Sequence, residues 1–65
     1  MKISVNGVWH DVVSSDVASV LKELGYGDSV VATALNGVFV SAGSRSSARV
    51  SDADQLEILA PMQGG

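Results

Sequence analysis

Cysteine is absent from this chain of 65 residues. The chain can therefore form neither a disulfide nor a zinc–thiolate site, and a reducing compartment fits best. A domain this short buries only about 60% of the surface of its unfolded chain. Hydrophobic packing must supply its stability, and 46% apolar residues are enough for a core. The composition predicts a single small domain of marginal stability over residues 1–65.

Basic residues are also few, and the formal net charge is −3. Nucleic-acid binding depends on clustered Lys and Arg side chains that neutralise phosphates. The four cations here are scattered, which argues against a nucleic-acid partner: Lys2, Lys22, Arg45 and Arg49. A mildly acidic protein is better suited to a basic protein surface, although −3 is also an ordinary charge for a soluble domain.

Long apolar runs are missing as well. The most apolar segment, residues 30–40, is interrupted by Asn36–Gly37 and is far too short to cross a bilayer. No stretch near Met1 combines a basic start with a long apolar run, so we expect neither an export signal nor a membrane span. The default location is the cytoplasm.

Side chains that could carry catalysis are sparse and isolated. His10 is the only histidine, and none of the serines has a base nearby in the sequence. Asp52 and Asp54 lie in a predicted turn, where Asp is a common turn-forming residue. So small a domain has no room for a sizeable pocket. We therefore predict no catalytic residue, no metal site and no bound cofactor, and a half-buried structural role for His10.

The first 25 residues predict a β-hairpin and then a helix. Lys2–Val5 alternates polar and apolar side chains, and Asn6–Gly7 is the dipeptide most typical of a type I′ turn. That turn pairs Val5 with Val8. One face of the hairpin then carries Ile3, Val5, Val8, His10 and Val12, and the other carries Trp9, Asp11 and Val13. The register fixes these faces, because a slip of one residue would exchange them.

The helix is predicted to begin at Asp16, whose carboxylate can cap free N–H groups, and to end at Gly25. Its apolar residues have the spacing i, i+3, i+4 and i+7 of one helix face: Val17, Val20, Leu21 and Leu24.

The remaining residues predict a strand pair and a last strand. Residues 30–35 read as a strand whose faces cannot be assigned, and Asn36–Gly37 connects it to Val38–Val40. Residues 41–47 predict an irregular, mobile surface loop, and residues 51–54 a turn. Gln55–Leu59 alternates cleanly, with Leu56 and Ile58 facing inward.

This order of elements predicts an α+β fold, with a mixed sheet of four to five strands and one main helix packed on one face. A right-handed crossover through the helix makes the last strand parallel to the first. That arrangement is the β-grasp, or ubiquitin-like, topology.

A short arm is predicted after Leu59. Pro61 has no N–H and discourages further sheet pairing, so residues 60–65 are expected to form a flexible tail. Six residues can extend roughly 20 Å. Gly64 and Gly65 carry no Cβ, so the end of the tail fits a slot too narrow for a side chain.

These features together resemble the ThiS family, the sulfur carriers of thiamine biosynthesis, over nearly the whole chain. The resemblance rests on Asn6–Gly7, the helix after Asp16, residues 31–37, the turn before Leu56 and the terminal Gln63-Gly64-Gly65. One departure is visible. Members of the family usually have Asp-Gly-Asp at that turn, where Ala53 stands here. If the turn needs a positive φ, Ala53 costs about 1 kcal/mol.

The resemblance implies a covalent cycle at Gly65. An adenylating (ThiF-like) enzyme that uses ATP and magnesium converts its carboxylate into an acyl-adenylate. A sulfur donor, such as a cysteine desulfurase relay, then gives a thiocarboxylate, and thiazole synthase (ThiG-like) takes the sulfur. Pro61, Met62, Gln63 and Gly64 would present Gly65 to the partner active sites. The chain itself would be a carrier and a protein substrate rather than an enzyme, with no bound cofactor.

A partner-binding surface is also predicted from the hairpin faces. Trp9 and Val13, on the helix-free face, would join Leu59 in an exposed apolar patch, which is typical of interfaces.

Two other functions stay open. The same chemistry could serve molybdopterin synthesis or another ubiquitin-like modifier, or the domain could be a noncatalytic β-grasp interaction module.

Overall fold

The computed structural model describes residues 1–60. Its elements, in chain order, are β1 (Lys2–Val5), β2 (Val8–Asp11), α1 (Val17–Glu23), β3 (Ala32–Leu35), β4 (Val38–Val40), a 3₁₀ helix (Ala42–Ser44) and β5 (Gln55–Leu59). Residues 61–65, which include most of the predicted tail, lie outside the described residues.

The five strands form one mixed sheet in the order β2-β1-β5-β3-β4. The last strand, β5, lies at its centre, parallel to β1 and antiparallel to β3. Helix α1 contributes Val17, Val20 and Leu21 to the same core cluster as Ile3 and Leu56, so it covers one face. The predicted α+β, ubiquitin-like β-grasp fold is confirmed.

The register of the first hairpin is the predicted one, with Val5 opposite Val8. Asn6 and Gly7 have φ values of +50° and +84°, as a type I′ turn requires. Ile3 and Val12 are fully buried on the helix side. Val8, on the same face, is 60% exposed because it stands at the turn end of an edge strand, beyond the cover of the helix.

Helix α1 begins and ends as predicted. The Asp16 carboxylate accepts a hydrogen bond of 2.9 Å from the Ser19 N–H, which lowers the pKa of that carboxyl. Leu24 closes the helix, and Gly25 follows at a φ of +94°. A helix of seven residues is unstable alone, so its buried stripe against the sheet holds it in place.

Glu23 ties the end of this helix to the segment after the first hairpin. Its carboxylate accepts from the N–H groups of Val13 and Ser14 at 3.0–3.2 Å. These hydrogen bonds lower the pKa of Glu23, and the bond from Ser14 has the largest effect.

Strand β3 resolves the faces that the sequence left open. It begins at Ala32, so Val30 and Val31 precede it in an irregular segment. Thr33 pairs with Ile58 and is only 2% exposed, which places it on the core side. Its hydroxyl donates to the Val40 carbonyl at 2.8 Å, so the buried polar group is satisfied.

Both asparagines of the hairpin turns also bond to β5. The Asn6 amide nitrogen donates to the Ile58 carbonyl at 2.9 Å, and its oxygen accepts from the Ile58 N–H at 2.8 Å. Asn36 accepts from the Gln55 N–H at 2.9 Å and donates to an Asp54 carboxylate oxygen at 3.1 Å. Each turn therefore holds one end of the central strand.

The turn before β5 does need a positive φ, since Ala53 adopts +71°. The Asp52 carboxylate accepts from the Lys2 N–H at 2.8 Å, and the Asp54 carboxylate accepts from the Ser51 N–H at 2.8 Å. The two carboxylates are turn-forming groups, as predicted, and Ala53 carries the expected left-handed strain of about 1 kcal/mol. The predicted irregular loop, residues 41–47, contains the 3₁₀ helix.

Candidate functional site

The chain leaves the sheet next to a small apolar groove of about 280 Å³. Its lining residues are Val30, Val31, Ala32, Leu59 and Ala60. Val30 and Leu59 are 80% and 65% exposed, so the groove is open to a partner. We call it the root groove, because the predicted tail begins in it.

Strand β5 ends at Leu59, where its pairing with β3 ends. Ala32, the first residue of β3, pairs with Leu59. On the other side, β1 turns away at Asn6, and the Asn6 side chain bonds to Ile58 in place of a further strand residue. Asn6 therefore holds β5 at Ile58 on one side and β3 holds it at Leu59 on the other, so the strand is anchored up to the residue before Ala60.

The three residues of the predicted patch are exposed, but the register does not bring them together. Trp9 pairs with Ser4, and Ser4 pairs with Gln55 at the start of β5. Leu59 is four residues further along β5, roughly 13 Å at about 3.3 Å per residue. On the helix-free face, Trp9 and Leu59 are therefore two separate apolar sites and not one patch.

Val13 is 92% exposed, but it lies beyond the strand. Its neighbour Val12 donates to the Met1 carbonyl at 2.8 Å, at the start of β1. Val13 is therefore at the end of the sheet opposite to Leu59, because β1 and β5 are parallel.

Phe39 is an exposed aromatic that the sequence reasoning did not place. It pairs with Ala34, which pairs in turn with Glu57, and it is 70% exposed on the helix-free face. Counting back from the Asn36–Gly37 turn gives this pairing, but residues 30–35 are too uniformly apolar to show which face it occupies.

Arg45 ties the segment of residues 41–47 to the start of β3. Its Nη2 donates to the carbonyl of Val31, a lining residue of the groove, and its Nε donates to the Thr33 hydroxyl at 3.1 Å. The position of Arg45 could not be predicted, because residues 41–47 show no periodicity from which a side chain could be placed.

The described residues offer no site for a metal. No group of three His, Cys, Asp or Glu side chains that could hold an ion occurs within residues 1–60. His10 is half-buried on the helix side of β2, opposite Ile3. Over the same range no helix is long and apolar enough to cross a membrane.

The predicted modification site, Gly65, and the residues expected to present it, Pro61, Met62, Gln63 and Gly64, lie outside the described residues. The model of the ThiS family matches residues 3–65, which include these five positions. The chain belongs to the ThiS family.

Two solved structures agree with this assignment. A crystal structure of the thiamine biosynthesis protein ThiS from Geobacter metallireducens is 29% identical, covers 100% of both chains and has a TM-score of 0.85. A solution structure of a thiamine biosynthesis protein from the same organism is 29% identical and has a TM-score of 0.78. The match covers 100% of this ThiS-family chain and 88% of that chain. A search of curated protein sequences gave no match.

Proposed function

We propose that this chain carries sulfur for the thiazole ring of thiamine as a thiocarboxylate on Gly65. The observation that carries the proposal is the family match, which continues through Gln63-Gly64-Gly65. Membership of the ThiS family supports a role as a small sulfur carrier, and the two similar structures belong to thiamine biosynthesis proteins.

The first step is activation of the Gly65 carboxylate. One of its oxygens attacks the α-phosphorus of ATP on an adenylating (ThiF-like) enzyme, and pyrophosphate leaves. The product is an acyl-adenylate, in which AMP is a good leaving group. Activation is needed because a carboxylate is a poor electrophile toward sulfur. The partner enzyme supplies the ATP site and the magnesium ion.

The second step exchanges oxygen for sulfur. The terminal sulfur of a persulfide on the sulfur donor, such as a cysteine desulfurase relay, attacks the Gly65 carbonyl carbon, and AMP leaves. A thiol of the donor then attacks the other sulfur of the resulting acyl disulfide. The Gly65 thiocarboxylate is released, the donor forms a disulfide, and thiazole synthase (ThiG-like) takes the sulfur.

The contribution of the chain is to present Gly65 to its partners, and the point where the predicted tail leaves β5 is suited to that. The Asn6 amide holds β5 at Ile58, one residue before Leu59, so the fold fixes where the tail begins. From Ala60, five further residues at about 3.3–3.6 Å each reach about 17 Å. That length brings Gly65 into a recessed active site while the folded domain stays on the partner surface. A cycle that consumes ATP belongs in the cytoplasm.

The proposal is tested by intact-mass spectrometry after incubation with ATP, magnesium, the adenylating enzyme and a sulfur donor. The expected gain is about 16 Da, one oxygen replaced by sulfur, on the Gly65 residue. A variant that lacks Gly64 and Gly65 is the control and should gain nothing. Transfer of labelled sulfur to the product of thiazole synthase then identifies the acceptor. No gain in the intact chain with an active enzyme would refute the carrier function.

A further inference from the structure

One side chain continues the hydrogen-bond ladder between β1 and β5. The Ser4 N–H donates to the Asp54 carbonyl at 2.9 Å, and two residues further along the Asn6 N–H donates to the Leu56 carbonyl at 3.0 Å. The next carbonyl in this series belongs to Ile58, and it accepts from the Asn6 side-chain amide at 2.9 Å. The Ile58 N–H donates to the oxygen of the same amide at 2.8 Å. The Asn6 amide therefore bonds to Ile58 as a further residue of β1 would.

The ladder stops after this step. Gly7 has a φ of +84° and no side chain with which to extend it, and a groove of about 570 Å³ lies beside β5, lined in part by Gly7 and Leu59. On the opposite side of β5, the pairing with β3 ends where Ala32 meets Leu59. A longer β1 would pair with the chain beyond Leu59 and hold it to the sheet. Asn6 thus determines, to within a residue, where support from the β1 side ends.

Loss of the Asn6 amide would leave the end of β5 held from the β3 side only. The backbone of residues 58–60 then gains freedom, because a strand end with unpaired N–H and carbonyl groups opens more readily. This freedom must be lost again when a partner binds the chain beyond Ala60. Fixing the backbone of a single residue lowers a binding constant roughly five- to thirtyfold. A strand end that is fixed before binding avoids this loss.

We propose that Asn6 is a positioning residue for the charging of Gly65. Its amide fixes the end of β5 through Ile58, so the predicted tail enters the active site of the adenylating enzyme from one point and in one direction. Asn6 itself does not touch the reacting atoms. This inference rests on the proposed function, because it names the residue that prepares the chain for that reaction.

A role confined to the hairpin turn makes a different prediction. Asn36 also precedes a glycine, has a φ of +51° and bonds through its side chain to Gln55 and Asp54. These bonds lie at the start of β5, the end away from Leu59. If asparagine serves only the turn and the stability of the sheet, the two positions should affect charging equally. If Asn6 positions the tail, only changes at Asn6 should affect it.

The first measurement compares Asn6→Gly with Asn36→Gly. Initial rates of pyrophosphate release by the adenylating enzyme give KM and kcat for each chain as the protein substrate. Asn6→Gly should raise KM about tenfold and leave kcat within about twofold, because the added freedom is lost when the tail binds. Asn36→Gly should change KM less than about twofold. All chains are assayed at a temperature at which circular dichroism shows them folded.

Two further variants separate the amide from the turn and from stability. Asn6→Asp keeps a dipeptide typical of a type I′ turn, but its carboxylate cannot donate to the Ile58 carbonyl. It should raise KM at least about fivefold. Val20→Ala removes part of a fully buried side chain and leaves the Asn6 bonds in place. It should lower the thermal midpoint without raising KM.

Amide hydrogen exchange of the unchanged chain tests the fixed strand end without any substitution. The Ile58 amide should exchange at least about a hundredfold more slowly than an exposed amide, as one bonded on the β1 side must. If it exchanges as fast as an exposed amide, the strand end is not fixed and the inference is overturned, even if the Asn6 variants do not fold.

The mass gain of the unchanged chain is measured in parallel, which separates the two levels of failure. If that chain gains no mass with an active enzyme, the proposed function fails and this inference fails with it. If it is charged normally while Asn6→Gly and Asn6→Asp have the KM of Asn36→Gly, only the positioning role of Asn6 is overturned. A KM raised equally in Val20→Ala would also overturn that role, because lost stability would then explain the effect.

Discussion

Replacement of Asn6 by glycine removes two hydrogen bonds to β5 while the turn conformation stays accessible. Asn6 has a φ of +50°, which glycine adopts without strain. The loss is therefore confined to the side-chain amide, which donates to and accepts from Ile58 at 2.9 and 2.8 Å.

The expected loss of stability depends on which hydrogen-bond partners the Ile58 backbone still has in the variant. Its N–H and carbonyl point toward β1, where the chain has already turned away, so Asn6 is their partner. Each hydrogen bond contributes about 0.5–1.5 kcal/mol to stability, or about 2 kcal/mol for the pair. The added freedom of glycine in the unfolded chain costs about a further 0.5–1 kcal/mol. One kcal/mol corresponds to about 4–8 °C in a domain of this size, so the midpoint should fall by more than about 10 °C.

Asn36→Gly is the matched control for this change. Asn36 has nearly the same φ, +51°, and a glycine there adds the same freedom to the unfolded chain. The side-chain hydrogen bonds of Asn36 to Asp54 and Gln55, however, are exposed to water. It should therefore cost about 1 kcal/mol less than Asn6→Gly. A third variant, Asn6→Asp, keeps the acceptor for the Ile58 N–H but directs a carboxylate at the Ile58 carbonyl, and it should be no more stable than Asn6→Gly.

The assay is urea unfolding followed by far-ultraviolet circular dichroism, with amide hydrogen exchange of Ile58 as a local readout. In Asn6→Gly the Ile58 amide should exchange faster than global unfolding alone allows. If Asn6→Gly is within 0.5 kcal/mol of the unchanged chain (about the error of such measurements), or if Asn36→Gly costs as much, the reasoning about Ile58 is wrong.

Three further predictions concern the turn, the core and pH. Ala53→Gly relieves left-handed strain of about 1 kcal/mol at a φ of +71° but frees the unfolded chain, so the net gain in the free energy of unfolding is about 0.5 kcal/mol; a loss in urea unfolding would contradict it. Leu56→Ala, at a site 1% exposed, should cost about 2–5 kcal/mol and leave most of the protein unfolded at 37 °C by circular dichroism; a cooperative fold that survives would refute this. Asp16 and Glu23 have lowered pKa values in the folded chain, so their ionised carboxylates stabilise the fold at any pH above the ordinary pKa of these groups. This stabilisation is lost as the pH falls through the lowered pKa values. The thermal midpoint should thus fall as the pH is lowered from about 5 to about 3, and it should fall less in Glu23→Gln than in the unchanged chain. An equal fall in the variant and the unchanged chain would count against the Glu23 hydrogen bonds.

The fold was readable from the sequence where short signals agree with one another. Asn6–Gly7 fixed the hairpin register, and the spacing of Val17, Val20 and Leu21 fixed the buried face of the helix. Alternation in Gln55–Leu59 placed Leu56 and Ile58 in the core. Each of these signals is local, so no knowledge of the tertiary structure was needed to interpret it.

The surface was harder to read, because it depends on long-range register. Exposure of Trp9 and Leu59 was predicted, but their separation follows from the pairing of β1 with β5, which only the structure gives. Phe39 and Arg45 were missed for related reasons. Phe39 lies opposite β3, a strand with no polar alternation. Arg45 contacts β3 from an irregular segment, 12 residues away in sequence from Thr33.

The central position of β5 also determines when the fold can form. Both hairpins consist of near neighbours in sequence, but β1 and β3 are joined only through a strand that is synthesised after residue 54. Pairings over such a separation raise the contact order and slow folding. A nascent chain therefore holds two unjoined hairpins until β5 is available, and β5 is followed directly by the segment that the adenylating enzyme would use. If Gly65 is charged as proposed, the complete sheet and the residue to be charged become available almost together during synthesis.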